Sequence, residues 1–251
     1  MLRLDRDGSV QRVVLDRPEV RNAFNDELIQ RLSEVFSSVP SEVRVIVLSG
    51  EGKAFCAGGD LEWMRRAASK SEQENFEDAL RLARLFQLIQ SAHALVIAQV
   101  HGAAFGGGCG LVAAADLALA EEATRFSFSE VKIGLIPATI APLVIPKIGA
   151  GHARALFMTG EVFAGRRAKE IGLVHEVAPD AALPELVDRT IANVLHCGPK
   201  AVISARNLVL EAGMSVEESA RRLASTRAGA EGREGVAAFL EKRKPSFAED
   251  R

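Results

Sequence analysis

Two continuous apolar runs, Val45-Ile46-Val47-Leu48 and Leu95-Val96-Ile97-Ala98-Gln99-Val100, each lead straight into a glycine-rich loop. Runs of this kind read as strands buried on both faces, which belong to parallel sheets closed by helical crossovers. The loops are Gly52-Lys53-Ala54-Phe55-Cys56-Ala57-Gly58-Gly59-Asp60-Leu61 and His101-Gly102-Ala103-Ala104-Phe105-Gly106-Gly107-Gly108-Cys109-Gly110. Glycine has no Cβ, so a ligand can approach its amide N–H closely. Two such loops can aim two N–H donors at one oxygen, an oxyanion hole made of backbone alone. The second loop runs into the helix-like Gly107 to Ala115, and a helix N-terminus there adds the positive end of its dipole to the same place.

The first two-thirds of the chain keeps this alternation. Val10 to Leu15 reads as a strand closed by the turn Asp16-Arg17-Pro18, and the charged stretch from Met1 to Asp7 runs straight into it. Asn25-Asp26-Glu27 starts a helix whose apolar face is Leu28, Leu32, Val35 and Phe36. One long helix is expected after the first loop, with Phe76, Ala79, Leu82, Ala83, Phe86 and Ile89 inward. Asp116 to Ala120 and Phe126 to Phe128 read as further strands, ahead of the turn Gly134-Leu135-Ile136-Pro137. From Gly151 onward the pattern turns to helix after helix, over Ala164 to Ile171, Leu183 to Leu195, Pro199 to Ala212, Val216 to Gly229 and Glu234 to Arg243. The expected class is therefore α/β with parallel crossovers. A core region over 1–180 carries the loops, and a helical region over 181–251 packs on it or on a neighbour.

Composition narrows the functional classes. The chain is 48% apolar and 25% charged over 251 residues, enough for one sizeable core. A net charge of −2 gives no overall footprint for nucleic acid. The basic clusters Arg65-Arg66, Arg166-Arg167 and Lys242-Arg243-Lys244 read as solvated helix faces. No apolar stretch has signal-core or membrane-span length, so a cytoplasmic protein without a membrane partner is expected. Three scattered cysteines, Cys56, Cys109 and Cys197, form neither a disulfide framework nor a zinc site, so no metal is expected. Cys56 and Cys109 lie inside the glycine loops without a histidine placed beside them by sequence, and read as small buried thiols.

Several segments together resemble the crotonase superfamily, also called the enoyl-CoA hydratase/isomerase family. Phe55-Cys56-Ala57-Gly58-Gly59-Asp60-Leu61 is similar to its F-x-A-G-x-D-L/I loop, and Ala104-Phe105-Gly106-Gly107-Gly108-Cys109 with Ala115-Asp116 to its A-x-G-G-G-x…D signature. Leu15-Asp16-Arg17-Pro18 and Asn22-Ala23 resemble its opening L-x-R-P…N-A. Glu130 to Pro137 resembles its E-x-x-x-G-L/I-x-P segment, and Phe239 to Pro245 its closing F-x-E-K-R-x-P. The order of the segments matches over nearly the whole chain.

The resemblance implies a spiral of ββα units with a helical C-terminal region that mediates trimers, often paired into hexamers. It implies an acyl-CoA thioester as substrate partner, so that CoA arrives with the substrate and no separate cofactor is needed. It places the two oxyanion donors on the N–H groups of Gly59 and Gly107 and the acid/base on Glu130. Ala23, Ala57, Gly58, Asp60 and Leu61 fall at positions that contact the CoA ester. Asp60 also suits a side-chain bond to its own turn. One departure stands out: two-glutamate hydratases of the family carry their other glutamate directly after G-G-G-x, where this chain has Gly110. Single-glutamate members include Δ3-Δ2-enoyl-CoA isomerases. The run Ser129 to Pro142 is similar instead to bacterial methylglutaconyl-CoA-hydratase-like members, which points to hydration of a branched, carboxylated enoyl-CoA. A carboxylated acyl group needs a cation, and Lys132, Lys147 and Arg154 are the candidates. Three readings are carried forward: a hydratase, an isomerase, and an acyl-CoA-binding subunit without turnover.

Overall fold

The computed structural model describes residues 1–211 and 213–250, so Ala212, the last residue of one expected helix, lies outside the described residues. The chain opens with the hairpin β1 (Leu2–Asp7) and β2 (Val10–Leu15), followed by α1 (Asp26–Ser37), β3 (Val45–Gly50), α2 (Leu61–Ala67) and α3 (Glu72–Gln90). Two ββα turns come next: β4 (Leu95–Val100), β5 (Ala103–Phe105) and α4 (Gly107–Ala114), then β6 (Leu117–Glu121), β7 (Arg125–Ser127) and α5 (Ala141–Thr159). After β8 (Phe163–Ala164), α6 (Gly165–Glu170) and β9 (Glu176–Ala178), the described residues are helical: α7 (Leu183–Leu195), α8 (Pro199–Leu210), α9 (Val216–Ala228) and α10 (Ala230–Leu240).

The first strand of each ββα turn enters a six-stranded sheet of order β1-β2-β3-β4-β6-β9, and the second enters a three-stranded sheet of order β5-β7-β8. From β2 to β9 the large sheet is parallel, with β1 antiparallel at its edge. Its middle strands are covered on both faces. Ile46, Leu48, Val96, Ala98 and Val100 face the core shared with α1, α3 and α4. Val45, Val47, Ile97 and Leu119 face Leu183, Leu186, Val187 and Ile191 of α7. This double burial is why those strands are continuously apolar rather than alternating. It also places the first helix of the C-terminal region on the outer face of the sheet, whereas α8 and α9 bury no residue.

Three local expectations give way. Met1 to Asp7 supplies β1, an edge strand whose residues past Leu2 are exposed, so no alternation marks it. The single long helix after the first loop is two helices. Ser71 restarts the chain with a capping box, its side chain accepting from Glu74 N while Glu74 reaches back to Ser71 N. That restart turns Phe76 and Ala79 outward, and the buried face of α3 becomes Asp78, Leu82, Leu85, Phe86 and Ile89. Helix α5 was masked in the sequence by Pro142, Pro146, Gly149 and Gly151. Pro142 sits in its first turn, and Gly149 kinks it at φ 74°.

Candidate active site

The two glycine loops lie side by side because their backbones pair. Phe55 N donates to His101 O at 3.0 Å, Cys56 N to Ala103 O at 3.1 Å and Phe105 N to Cys56 O at 3.0 Å. Phe24 adds a third rung: its N donates to Gly58 O at 2.7 Å, and Asp60 N donates to Phe24 O at 2.8 Å. Gly58 carries φ +93°, and a Cβ there would lie 3.0 Å from Phe105 O, so only glycine allows the two loops this contact. At Gly108 a Cβ would meet Cys56 O at 2.4 Å, which seats the first turn of α4 against the first loop. The N–H groups of Gly59 and Gly107 find no acceptor among the described residues. Gly107 is the first residue of α4, so its N–H belongs to the unpaired set at a helix start.

Glu130 enters this place from a short helical turn over Ser129–Ile133, just after β7. Its Oε1 would lie 3.1 Å from a Cβ built at Gly106, the residue next to Gly107. Its Oε2 is buried and has no hydrogen-bond partner among the described residues. Burial pushes its pKa above the ordinary glutamate value, against a weaker pull from its own backbone N–H. A desolvated carboxylate against Gly106, the residue before the Gly107 N–H, has the makings of a proton-transfer centre.

The other expected residues have distinct surroundings. Ala23 is buried, and its carbonyl accepts from Arg17 Nη1 at 2.6 Å. Ala57 N donates to Arg21 O at 3.0 Å. Asp60 caps α2, its Oδ1 accepting from Glu62 N at 2.9 Å and its Oδ2 from Arg17 Nη2 at 3.0 Å. Burial opposes the Asp60 charge, but Arg17 and the N–H groups of Glu62 and Trp63 outweigh it and hold the pKa below the usual aspartate value. Leu61 opens α2 with 77% of its surface exposed. Among the candidate cations, Lys147 donates to Ala115 O at 2.9 Å, just past the last residue of α4, the end opposite Gly107. Burial draws its ammonium down to about 8. Lys132 lies along Gly160, and Arg154 is exposed. The motif's Asp116 serves the framework, accepting from Val96 N at 2.8 Å and pairing with Arg206 of α8.

Both loop cysteines are fully buried. Burial pushes the Cys56 thiol up to about 12 and raises Cys109 as well, while Cys109 Sγ donates to Ala104 O at 3.0 Å. Neither is a thiolate near neutral pH. Among the described residues no group of three or more His, Cys, Asp or Glu is arranged to hold a metal ion. No described helix is long and apolar enough to cross a membrane.

Several side chains at the site carried no signal in the sequence. A Cβ at Gly110 would lie 2.5 Å from Phe86 Cζ and 2.6 Å from Ile140 Cγ2, so apolar atoms already fill the space a second carboxylate would need. A Cβ at Gly59 would lie 3.2 Å from Met64 Cγ and 3.6 Å from Trp63 Cε3, which puts the start of α2 over that loop. Phe24 stands 3.0 Å from a Cβ at Gly107. Arg17 was legible as part of a turn and of the L-x-R-P motif without a role, and its grip on Asp60 follows from tertiary structure.

Comparison with known proteins bears on the fold and the family. The profile of the enoyl-CoA hydratase/isomerase family matches residues 5–250. Crotonyl-CoA hydratase of Syntrophomonas wolfei is 30% identical over 256 residues, covering 97% of this chain and 96% of that one. The structure of Pseudomonas aeruginosa AtuE superposes with a TM-score of 0.95 at 36% identity, covering 99% of each chain. An enoyl-CoA hydratase from Shewanella pealeana gives a TM-score of 0.93 at 34% identity, over 98% of this chain and 95% of that one. With the profile running almost end to end and the ββα spiral shared with these structures, the chain belongs to the enoyl-CoA hydratase/isomerase family, has the crotonase fold, and is an enzyme of that kind.

Proposed function

We propose that the protein adds water across the 2,3 double bond of an enoyl-CoA thioester, with Glu130 as its single acid/base. The N–H groups of Gly59 and Gly107 receive the thioester oxygen. The observation that supports this most is the unpartnered, buried Oε2 of Glu130 on a residue that faces Gly106. In the reaction the Glu130 carboxylate takes a proton from water as the water oxygen bonds to C3. The π electrons move through C2 onto the thioester oxygen, where each fixed donor contributes on the order of 3 kcal/mol in comparable sites. Glu130 then returns the proton to C2, and the enolate collapses to the 3-hydroxyacyl ester. Water is the only reactant added, and CoA enters as part of the substrate.

A branched acyl group is the substrate class supported by the likeness of Ser129 to Pro142 to methylglutaconyl-CoA-hydratase-like members. A carboxylated member such as methylglutaconyl-CoA belongs in the test panel, although Lys147 is already committed to Ala115 O. Work in the cytoplasm suits this reading, since all three cysteines are free thiols. One observation favours a second reading, the Δ3-Δ2 isomerase. With Gly110 packed against Phe86 and Ile140 there is no second carboxylate, and a single base suffices to carry a proton from C2 to C4.

A panel of 2-enoyl and 3-enoyl CoA esters followed by ultraviolet absorbance separates the readings. Absorbance of the conjugated thioester falls on hydration and rises on isomerisation. A constant signal on every ester, with tight binding, would leave only the non-catalytic acyl-CoA-binding subunit.

A further inference from the structure

The residues on either side of Gly59 are tied down, and this frees its own amide. Gly58 O and Asp60 N both bond to the backbone of Phe24. In an extended pairing successive residues point their polar groups to opposite sides, so Gly59 N–H is turned away from Phe24. One guanidinium fixes both sides of that pairing. Arg17 Nη1 donates to the carbonyl of Ala23, the residue before Phe24, at 2.6 Å. Arg17 Nη2 donates to the carboxylate of Asp60, the residue after Gly59, at 3.0 Å. The Arg17 and Asp60 side chains are only 13% and 12% exposed, so solvent screens the pair weakly. Arg17 N also donates to Asn22 Oδ1 at 2.8 Å, which locks the guanidinium's own loop. The same Asp60 carboxylate starts α2, a helix with no fully buried residue of its own.

We propose that Arg17 is a positioning residue for the oxyanion hole: through Ala23 and Asp60 it sets the aim of the Gly59 N–H, and so supports the chemical step without touching substrate. The inference rests on the reading of Gly59 and Gly107 as the donor pair. A hydrogen bond weakens steeply once its donor swings off axis, and a catalytic donor must be held to within about 0.5 Å. Losing one such donor costs about 100- to 1000-fold in kcat. Loosening it should cost less, in kcat rather than in KM. Lysine cannot replace the two-pronged grip, because it carries one point charge where Arg17 spans two acceptors.

The test uses the full-length protein and the enoyl-CoA ester that it turns over fastest, with cinnamoyl-CoA as a chromophoric probe. Polarisation of the thioester carbonyl in the hole moves the bound probe's absorbance to longer wavelength. Arg17→Met and Arg17→Lys are expected to lower kcat about 10- to 100-fold with KM changed less than about threefold, in line with a misaimed donor. The bound probe's band should move back towards that of the free ester. Asp60→Asn keeps an oxygen for the α2 cap but loses the ion pair, so it should show the same losses and carries the test if Arg17→Met does not fold. The double variant should be no worse than either single one, because the two residues act through one contact. Unchanged kcat with a full band shift, or an effect confined to KM or melting temperature, overturns the inference. If the parent shows no band shift and Gly107→Pro keeps its activity, the donor pair itself is wrong and the inference falls with it. A parent with the shift and a dead Gly107→Pro, but an indifferent Arg17, sinks the positioning role alone.

Discussion

At the scale of single residues, the position that tests the proposed acid/base is Glu130. Replacing it with glutamine keeps the shape and removes the base, so kcat should fall by about two to four decades while acyl-CoA binding changes little. Full activity in Glu130→Gln, measured on the ester panel, would remove the mechanism. The same change should stabilise the fold, and the sign follows from burial. The folded pKa of Glu130 is raised, so the folded state binds its proton more tightly than the unfolded chain does. Below the unfolded value both states are protonated and nothing is lost. As pH rises through the folded value the carboxylate ionises in a dry site, and stability drops. The melting temperature of Glu130→Gln should therefore exceed the parent's at neutral pH, and the gap should close towards about pH 4. The acid limb of kcat/KM should lie above the ordinary glutamate range, because the base works as its carboxylate. The loop residues give a sharper contrast. Gly107→Pro removes an N–H donor, whereas Cys109→Ala removes a buried neutral thiol. Activity per folded molecule, with circular dichroism alongside, should be abolished in the first and largely kept in the second. The reverse pattern would make Cys109 the reactive group.

Elements explain what the sequence could and could not carry. The strands β3 and β4, the glycine loops and α4 were legible, because burial on both faces writes a continuous apolar run and close approach demands glycine. The proposed roles of Gly59, Gly107 and Glu130 rest on motif order, and among the described residues the two N–H groups and Glu130 Oε2 have no partner. The short strands β5, β8 and β9 were illegible, since two or three residues set no periodicity. The break between α2 and α3 was hidden in plain polar residues, where only the Ser71 and Glu74 box reveals it. The packing of α4 on α3 and α5 was equally invisible, because Gly110, Phe86 and Ile140 are far apart in the chain. It has a measurable consequence. Alanine favours a helix over glycine by about 1 kcal/mol, so an open Gly110 would be improved by Gly110→Ala. Here the added methyl would stand 2.5 Å from Phe86 Cζ, inside a core where Phe86 is fully buried. Overpacking costs typically about 1–3 kcal/mol, so the net change should be a lower melting temperature. Gly110→Glu should fare worse, and it should not gain straight-chain hydratase activity without Phe86 also being cut back. A melting temperature raised by Gly110→Ala would show that this wall yields.

For the whole molecule the open matter is what covers the C-terminal helices. Helix α7 is spent on the sheet, but α8 and α9 bury nothing, and α10 buries only Ala238. Val209, Leu223, Phe239 and Leu240 stand in solvent, Val209 and Phe239 with 82% of their surface exposed. Burying one such side chain is worth about 1.5–3 kcal/mol, and large exposed apolar surface marks association surfaces. The polar contacts of the region are partly local, Arg243 with Glu234 and Glu241 and Arg222 with Glu211 and Glu218, and partly to the core, Arg206 with Asp116 and Glu249 with Arg44. They leave the apolar side chains uncovered. Copies of this chain are the occupant we expect, in a closed trimer or a dimer of trimers, since a head-to-tail contact repeated by rotation buries the same patch on every subunit. Light scattering should then give three or six times the 26.9 kDa of one chain. Phe239→Asp and Val209→Asp put a charge into that contact, so each should shift the mass downwards while far-ultraviolet circular dichroism stays constant. A parent protein that scatters as a monomer at micromolar concentration would show instead that these side chains serve some other partner.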